Sequence, residues 1–307
     1  MNIELWNALN RSDLPVQNVG LSWLQRKNIQ LDILRLDLLH HEISGNKWYK
    51  QKGHLEHAFA HGYSTALSFG GAWSNHIHAL AASGHHLGFS TIGVIRGERA
   101  ENLSLTLQDA ERLGMRLHFV SRKDYREKHT EEFQNQLLAD LGVSASDVWI
   151  VPEGGSGALG VKGCEDILPA GRINPTDYQQ IWLAAGTGAT TAGVIRSAPE
   201  SVEIHGVAVL KGADWMAGDV AQHLPEGRTG WQIETEYHCG GYGKTTPDLL
   251  SFIRFFEEES GIPLDPVYTG KMMLGLFDAV NTGAVPEGSR ILAIHTGGLQ
   301  GARGYVF

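Results

Sequence analysis

Lys47 follows Ser44-Gly45-Asn46 and precedes Trp48-Tyr49-Lys50, which puts an amine at the first turn of a helix just after a Gly-Asn turn. That spot is electropositive and lowers the amine's pKa, and a neutral amine is what attacks an aldehyde carbon to make a Schiff base. The same placement also describes a solvated lysine beside a turn, and Lys50 and Lys52 read as surface lysines of that kind. A second constellation is Gly186-Thr187-Gly188-Ala189-Thr190-Thr191. A strand running into it and a helix leaving it would aim free backbone N–H groups and hydroxyls at one point, where the helix dipole favours an anion. Small residues also serve such turns for packing alone. It is no Walker loop, since Gly-Lys-Ser/Thr is missing, and a dinucleotide fingerprint would need glycine at Thr191. A third stretch, Ser68-Phe69-Gly70-Gly71-Ala72-Trp73-Ser74-Asn75-His76, ends a strand and opens a helix. Ser74 and Asn75 serve there as caps, or the hydroxyl, amide and imidazole gather at a strand's carboxyl end to do chemistry. No metal site is expected. His76/His78 and His85/His86 lack helical ligand spacing, and His57/His61 has no glutamate where a zinc protease needs one.

These residues need a scaffold, and the chain supplies one by alternation. Strands are predicted at Ile29 to Leu36, Ser64 to Phe69, Thr91 to Arg96, Arg116 to Val120, Val148 to Val151, Gln180 to Ala184, Glu203 to Val209 and Arg290 to Ile294. Helices are predicted from Lys47 to His61, Trp73 to Leu87, Asn102 to Leu113, Tyr125 to Leu141, from the 186–191 loop to Ser197, and near Thr246 to Ser260 and Gly270 to Asn281. Strand–helix alternation implies parallel sheets covered on both faces. Ligands in such folds sit beyond the carboxyl ends of strands, where the glycines at 70–71, 154–155, 186–188 and 297–298 fall.

A length of 307 residues, 42% hydrophobic, with 38 glycines, describes a folded, turn-rich protein able to bury a full core. A formal charge of −9 argues against a nucleic-acid binder. No run of eighteen apolar residues occurs, and Met1-Asn2-Ile3-Glu4 carries an acid where a secretory leader has lysines. The expectation is a cytoplasmic protein with no membrane partner, and with Cys164 and Cys239 as free thiols.

Taken together, the chain resembles the D-cysteine desulfhydrase and 1-aminocyclopropane-1-carboxylate (ACC) deaminase family, a branch of the pyridoxal-phosphate enzymes with the tryptophan-synthase-β type of fold. The resemblance runs from about Val19 to Gly298. It is carried by Ser44-Gly45-Asn46-Lys47 with Lys50, Phe69-Gly70-Gly71-Ala72-Trp73-Ser74-Asn75-His76 and Pro152-Glu153-Gly154-Gly155-Ser156. Gly186-Thr187-Gly188-Ala189-Thr190, Asp265-Pro266-Val267-Tyr268-Thr269-Gly270-Lys271 and His295-Thr296-Gly297-Gly298 complete it.

The resemblance implies pyridoxal 5′-phosphate held as a Schiff base on Lys47, its ring oxygen bonded by Asn75 and its ring nitrogen faced by Thr296. Thr187, Gly188, Ala189 and Thr190 would cradle the phosphate. Ser74 and His76, with Asn75, would hold the substrate carboxylate or assist proton transfer, and Tyr242 and Tyr268 would look over a small amino-acid substrate. Lys47, Ser74 and Tyr268 are the catalytic candidates. The ACC deaminase pattern has glutamate where Thr269 stands and leucine where Thr296 stands. These residues therefore favour desulfhydrase-like α,β-elimination to pyruvate, ammonia and sulfide over ACC deamination. The fold implied is two α/β domains with twisted, parallel-type sheets covered by helices and the cofactor in the cleft between them. The smaller domain spans 53–151 and the larger 1–52 with 152–307, and the assembly is a homodimer. A nicotinamide-dependent dehydrogenase would instead need an acid about twenty residues past the glycine turn, near Glu203. A degenerate member that holds the cofactor without turnover would lose the substrate groups, yet Ser74, Tyr242 and Tyr268 are present.

Overall fold

Capped helices alternate with apolar strands along almost the whole chain in the computed structural model, which describes residues 2–10, 13–43 and 45–305. Ser44, the first residue of the Lys47 motif, lies outside the described residues. The order begins α1 (Ile3–Leu9), β1 (Val16–Val19), α2 (Ser22–Gln25), β2 (Gln30–Arg35), α3 (Asn46–Ala60), β3 (Thr65–Gly70), α4 (Asn75–Leu87) and β4 (Ser90–Arg96). It continues with α5 (Leu105–Arg112), β5 (Arg116–Val120), α6 (Glu131–Leu141), β6 (Val148–Val151), α7 (Ala158–Cys164), α8 (Ile167–Ala170), β7 (Gln180–Ala185) and α9 (Ala189–Ser197). The last elements are β8 (Glu203–Ala208), α10 (Trp215–Ala221), β9 (Trp231–Glu234), α11 (Pro247–Ser260), α12 (Thr269–Thr282) and β10 (Arg290–His295).

The strands form two sheets. One has the order β1-β2-β10-β7-β8-β9 and the other β5-β4-β3-β6. Every pairing is parallel except β1 with β2, an antiparallel edge. Alternate residues of one strand point to opposite faces, and here both faces are buried. On β10, Leu292 and Ile294 join one core while Ile291 and Ala293 join another. The first core takes Trp48, Tyr49 and Leu55 of α3 together with residues of α4, α7 and α9, so it joins the two sheets. The second packs α11 and α12 on the far face of the larger sheet. A third covers the outer face of the smaller sheet, where Leu137, Leu138 and Leu141 of α6 meet Leu67, Phe69, Ile92 and Val94. The expected α/β class with parallel-type, helix-covered sheets is therefore the observed one.

Local departures from the expected elements have side-chain causes. The helix expected from Tyr125 to Leu141 is a 3-10 turn, Asp124–Glu127, followed by α6. The Thr130 hydroxyl accepts the Phe133 N–H and caps α6 there. Ser104 and Ser74 likewise start α5 and α4 later than the apolar pattern suggests. Lys52 is not the surface residue expected. It is buried along α3, its amine paired with Asp166. Both cysteines are free, as expected.

The helices α3, α7 and α9 pack closer than ordinary side chains allow. A Cβ on Gly163 would overlap the Tyr49 carbonyl oxygen, one on Gly160 the Gly155 carbonyl oxygen, and one on Gly193 would meet the Cys164 side chain. Gly163→Val should therefore cost about 1–3 kcal/mol of stability or more by overpacking. Gly218→Ala, in α10 with open space around it, should gain about 0.5–1 kcal/mol. Urea denaturation of both variants checks the pair, and a Gly163→Val protein as stable as the parent would contradict this packing.

Candidate active site

The strands β7 and β3 run into the first turns of α9 and α4 at one cleft, and the first turn of α3 lines it beside them. Gly45 begins the arrangement. Its φ of 71° is in the left-handed region and a Cβ on it would overlap the Thr296 carbonyl oxygen, so only glycine lets α3 come down onto the end of β10. The Asn46 N–H then donates to that carbonyl at 3.1 Å. Lys47 is thereby held in the first turn of α3, its Nζ donating to Asn46 Oδ1 at 3.1 Å and standing 5.4 Å from the centre of the Tyr268 ring. Desolvation lowers its pKa from 10.5 to about 8, against the opposing pull of Cys164 and Asp265.

Lys50, expected at the surface, is buried, and its Nζ donates to Thr187 Oγ1 at 2.8 Å. Burial, with the charge of Lys47 second, lowers its pKa to about 7. Residues three apart share a helix face, so the spacing from Lys47 was a signal in the sequence that the surface reading passed over.

The strand β7 runs into Gly186-Thr187-Gly188 and α9 begins at Ala189. Gly188 is left-handed, with φ 75°, and a Cβ on it would stand 2.8 Å from Val220. The first N–H groups of α9 have no partner within the helix, and the Thr187 hydroxyl with Lys50 lies beside them. Thr190 faces α3. Its buried hydroxyl accepts from Asn46 Nδ2 at 2.8 Å, so the side chain braces α9 against α3, and its backbone N–H remains for an anion.

At α4, Ser74 is the N-cap, its Oγ accepting from the Ile77 N–H at 3.3 Å. Asn75 has one amide contact, Nδ2 to the Gly298 carbonyl at 3.4 Å, while its buried Oδ1 has no partner. The imidazole of His76 does not fulfil the expected role. Gln51 Nε2 lies 3.1 Å from its Nδ1, and its Nε2 is 2.7 Å from Ser68 Oγ, which in turn donates to the Val151 carbonyl. Burial first, then the charge of Lys50, pushes its pKa well below 6.5. A neutral ring with both nitrogens engaged neither grips a carboxylate nor shuttles a proton, and what His76 offers is its N–H at the helix start.

Tyr268 overhangs the cleft, its hydroxyl 3.4 Å from that of Tyr242. Burial, with Tyr242 second, raises its pKa well above 10.0 and keeps the phenol protonated. Its turn is organised by Asp265, a residue missed as functional. The buried Asp265 carboxylate accepts the N–H groups of Val267, Tyr268 and Thr269, each at 2.9 Å. Thr269 is sealed in the same turn, its hydroxyl donating to Asp265 Oδ1 at 2.8 Å. It does not face the cleft, so its weight in the choice of reaction is removed. Thr296 lines a small recess beside Lys47, Asn75 and Tyr268. Glu203 opens β8 at its amino end, far from the glycine turn, which removes the dehydrogenase's ribose-binding acid.

Lys47, Lys50, Asn75, Thr187, Tyr242 and Tyr268 share one cleft of about 590 Å³. A pair of amines with depressed pKa values, an unpartnered buried amide oxygen and helix N-termini suit an aldehyde, a ring hydroxyl and a phosphate. The chain belongs to the family of pyridoxal-phosphate dependent enzymes, whose model matches residues 34–297. It is 28% identical over 293 residues to an Arabidopsis thaliana protein named bifunctional D-cysteine desulfhydrase/1-aminocyclopropane-1-carboxylate deaminase, mitochondrial, covering 89% of this chain and 73% of that one. It is also 28% identical over 288 residues to a Yersinia pestis D-cysteine desulfhydrase, covering 88% of this chain and 86% of that one. The crystal structure of an ACC deaminase homologue superposes with a TM-score of 0.81 at 27% identity, over 98% of this chain and 96% of that one. No helix among the described residues is long and apolar enough to cross a membrane.

Because the pKa of Lys50 falls from 10.5 in the unfolded chain to about 7 in the folded one, the unfolded state binds more protons across that window. Stability of cofactor-free protein therefore gains from Lys50 as pH rises through it. Lys50→Met removes the term, so any stability advantage of the variant at neutral pH should shrink as pH approaches 10.5. Urea unfolding across the window reads this, and a difference that does not change with pH would show that Lys50 is not desolvated.

Proposed function

We propose that this enzyme eliminates the β-substituent of a small D-amino acid, converting D-cysteine to pyruvate, ammonia and sulfide. The observation that carries this reading is Lys47, an amine with a lowered pKa between the α9 turn and the Tyr268 phenol. Pyridoxal 5′-phosphate bound there supplies an electron sink for the electrons released at Cα. Lys47 would hold it covalently through Nζ, and the same Nζ would take the Cα proton. Asn75 would donate its amide N–H to the ring oxygen, Thr296 would face the ring nitrogen, and the N–H groups of Gly188, Ala189 and Thr190 with Thr187 and Lys50 would bind the phosphate. Ser74 and the first N–H groups of α4, at Asn75 and His76, receive the α-carboxylate. Tyr268, kept protonated by burial, gives a proton to the departing sulfur, and Tyr242 holds its hydroxyl in place.

Names carried by the relatives support both this reaction and ACC deamination. A hydroxyl at the ring nitrogen favours the former, since a leaving thiolate accepts electrons that a cyclopropane carbon takes only with more help. The same reading takes residues 53–151 as a smaller domain, supported by the four strands β3 to β6 falling between Thr65 and Val151. It also takes the enzyme to be a cytoplasmic homodimer.

Lys47→Ala should abolish both the visible absorption band of the purified protein and sulfide release from D-cysteine, while leaving thermal unfolding cooperative. The parent should give little 2-oxobutanoate from ACC. Borohydride trapping of cofactor on another lysine in Lys47→Ala would overturn the assignment, and brisk ACC deamination without sulfide release would replace the reaction.

A further inference from the structure

We infer that the cleft contains a second anion subsite, made by Arg96 and Arg122, and that beside D-cysteine the enzyme takes small D-amino acids bearing an anionic group on the side chain, and binds these more tightly. This deepens the elimination reading and rests on it. Arg96 is the last residue of β4, where it pairs in register with Val120, the last residue of β5, and Arg122 follows two residues on. Parallel strands leave a sheet at the same end, so both guanidinium groups lie at the end where β3 runs into Gly71 and β6 into Glu153. Both line the cleft that holds Lys47.

Arg96 leans over the 71–75 turn, its Nη2 3.8 Å from where a Cβ on Gly71 would stand, and its guanidinium lies 5.9 Å from the centre of the Tyr125 ring. Among the described residues neither arginine has a carboxylate partner. The acid that shares the cleft does not neutralise them. Glu153 accepts from the Tyr125 hydroxyl at 3.0 Å on Oε1 and pairs with Lys128 at 3.4 Å on Oε2. Counting charges makes the surplus plain. A cofactor phosphate would be met by Lys50 and the start of α9, and an α-carboxylate by the start of α4, which leaves Arg96 and Arg122, both exposed, as the cleft's remaining cations. A planar donor fork matches a carboxylate, phosphate or sulfonate. For an O-phosphorylated substrate the step balances. The Cα proton goes to Lys47, the Cβ–O bond breaks with its electron pair leaving on phosphate, and water completes pyruvate and ammonia.

The test is a titration of holoenzyme, read by the change in its visible spectrum, with O-phospho-D-serine and D-cysteate against D-serine and D-cysteine. The anionic pair should bind at least about tenfold tighter than D-serine, the value of one charge-assisted hydrogen bond. Arg96→Gln and Arg122→Gln should each reduce that ratio about tenfold, and added salt should reduce it in the parent. No preference in the parent, or an equal loss for D-serine in both variants, overturns the subsite. Elimination from β-chloro-D-alanine without anion preference would sink the subsite alone. Anion preference with no elimination from any member would sink the reaction and leave the subsite standing.

Discussion

Everything in the cleft depends on how closely α3 approaches the end of β10. The contact is made between backbones, at Gly45 and the Thr296 carbonyl, and it leaves no room for a Cβ. Because the approach is that close, the first turn of α3 lies level with the first turns of α9 and α4, and Lys47, Thr187 and Asn75 address one volume. The same economy recurs behind the site, where Gly160, Gly163 and Gly193 let α3, α7 and α9 nest. Side chains at these points would push the helices apart by more than an ångström and separate the amine from the anion turn.

That geometry carries an electrostatic cost. Two lysines are withdrawn from water within one turn of each other, and desolvation leads the causes that lower both pKa values. Buried cations without anions destabilise a fold, so the protein holds unfavourable charge there that an anion bound in the cleft would relieve. Cofactor affinity and chain stability are then the same quantity seen from two sides. Thr187, whose hydroxyl accepts from Lys50, stands beside that charge at the start of α9.

What the sequence reveals follows from which signals are local. The glycine turns, the strand ends and Lys47 depend on neighbours within a few residues, and the alternation of elements already placed them at one edge. Lys50 was misjudged because its burial depends on Thr187, far away in the chain. His76 was misjudged because Gln51 and Ser68 occupy its ring, a pairing set by the packing of α3 on α4 and β3. Thr269 follows Tyr268 directly and so looked like a cleft residue, but the turn built on Asp265 rotates its hydroxyl inward. Among the elements, β9 was not predicted, although Trp231-Gln232-Ile233-Glu234 carries a period-two pattern. The edge position of β1 depends on β2 and was not legible.

Asp265 shows how such inward-turned groups still act on the reaction. Its carboxylate spends its acceptor capacity on the N–H groups of residues 267 to 269 and on Thr269. This fixes the backbone of Tyr268 at the start of α12, where the φ of −120° and ψ of −75° lie outside helical values. A phenol on a free loop would sample many positions, whereas one at the head of a buried helix keeps its hydroxyl near Tyr242 and its ring face over Lys47. Asp265 is therefore a positioning residue. It holds Tyr268 through four hydrogen bonds, and its charge opposes the effect of burial on Lys47.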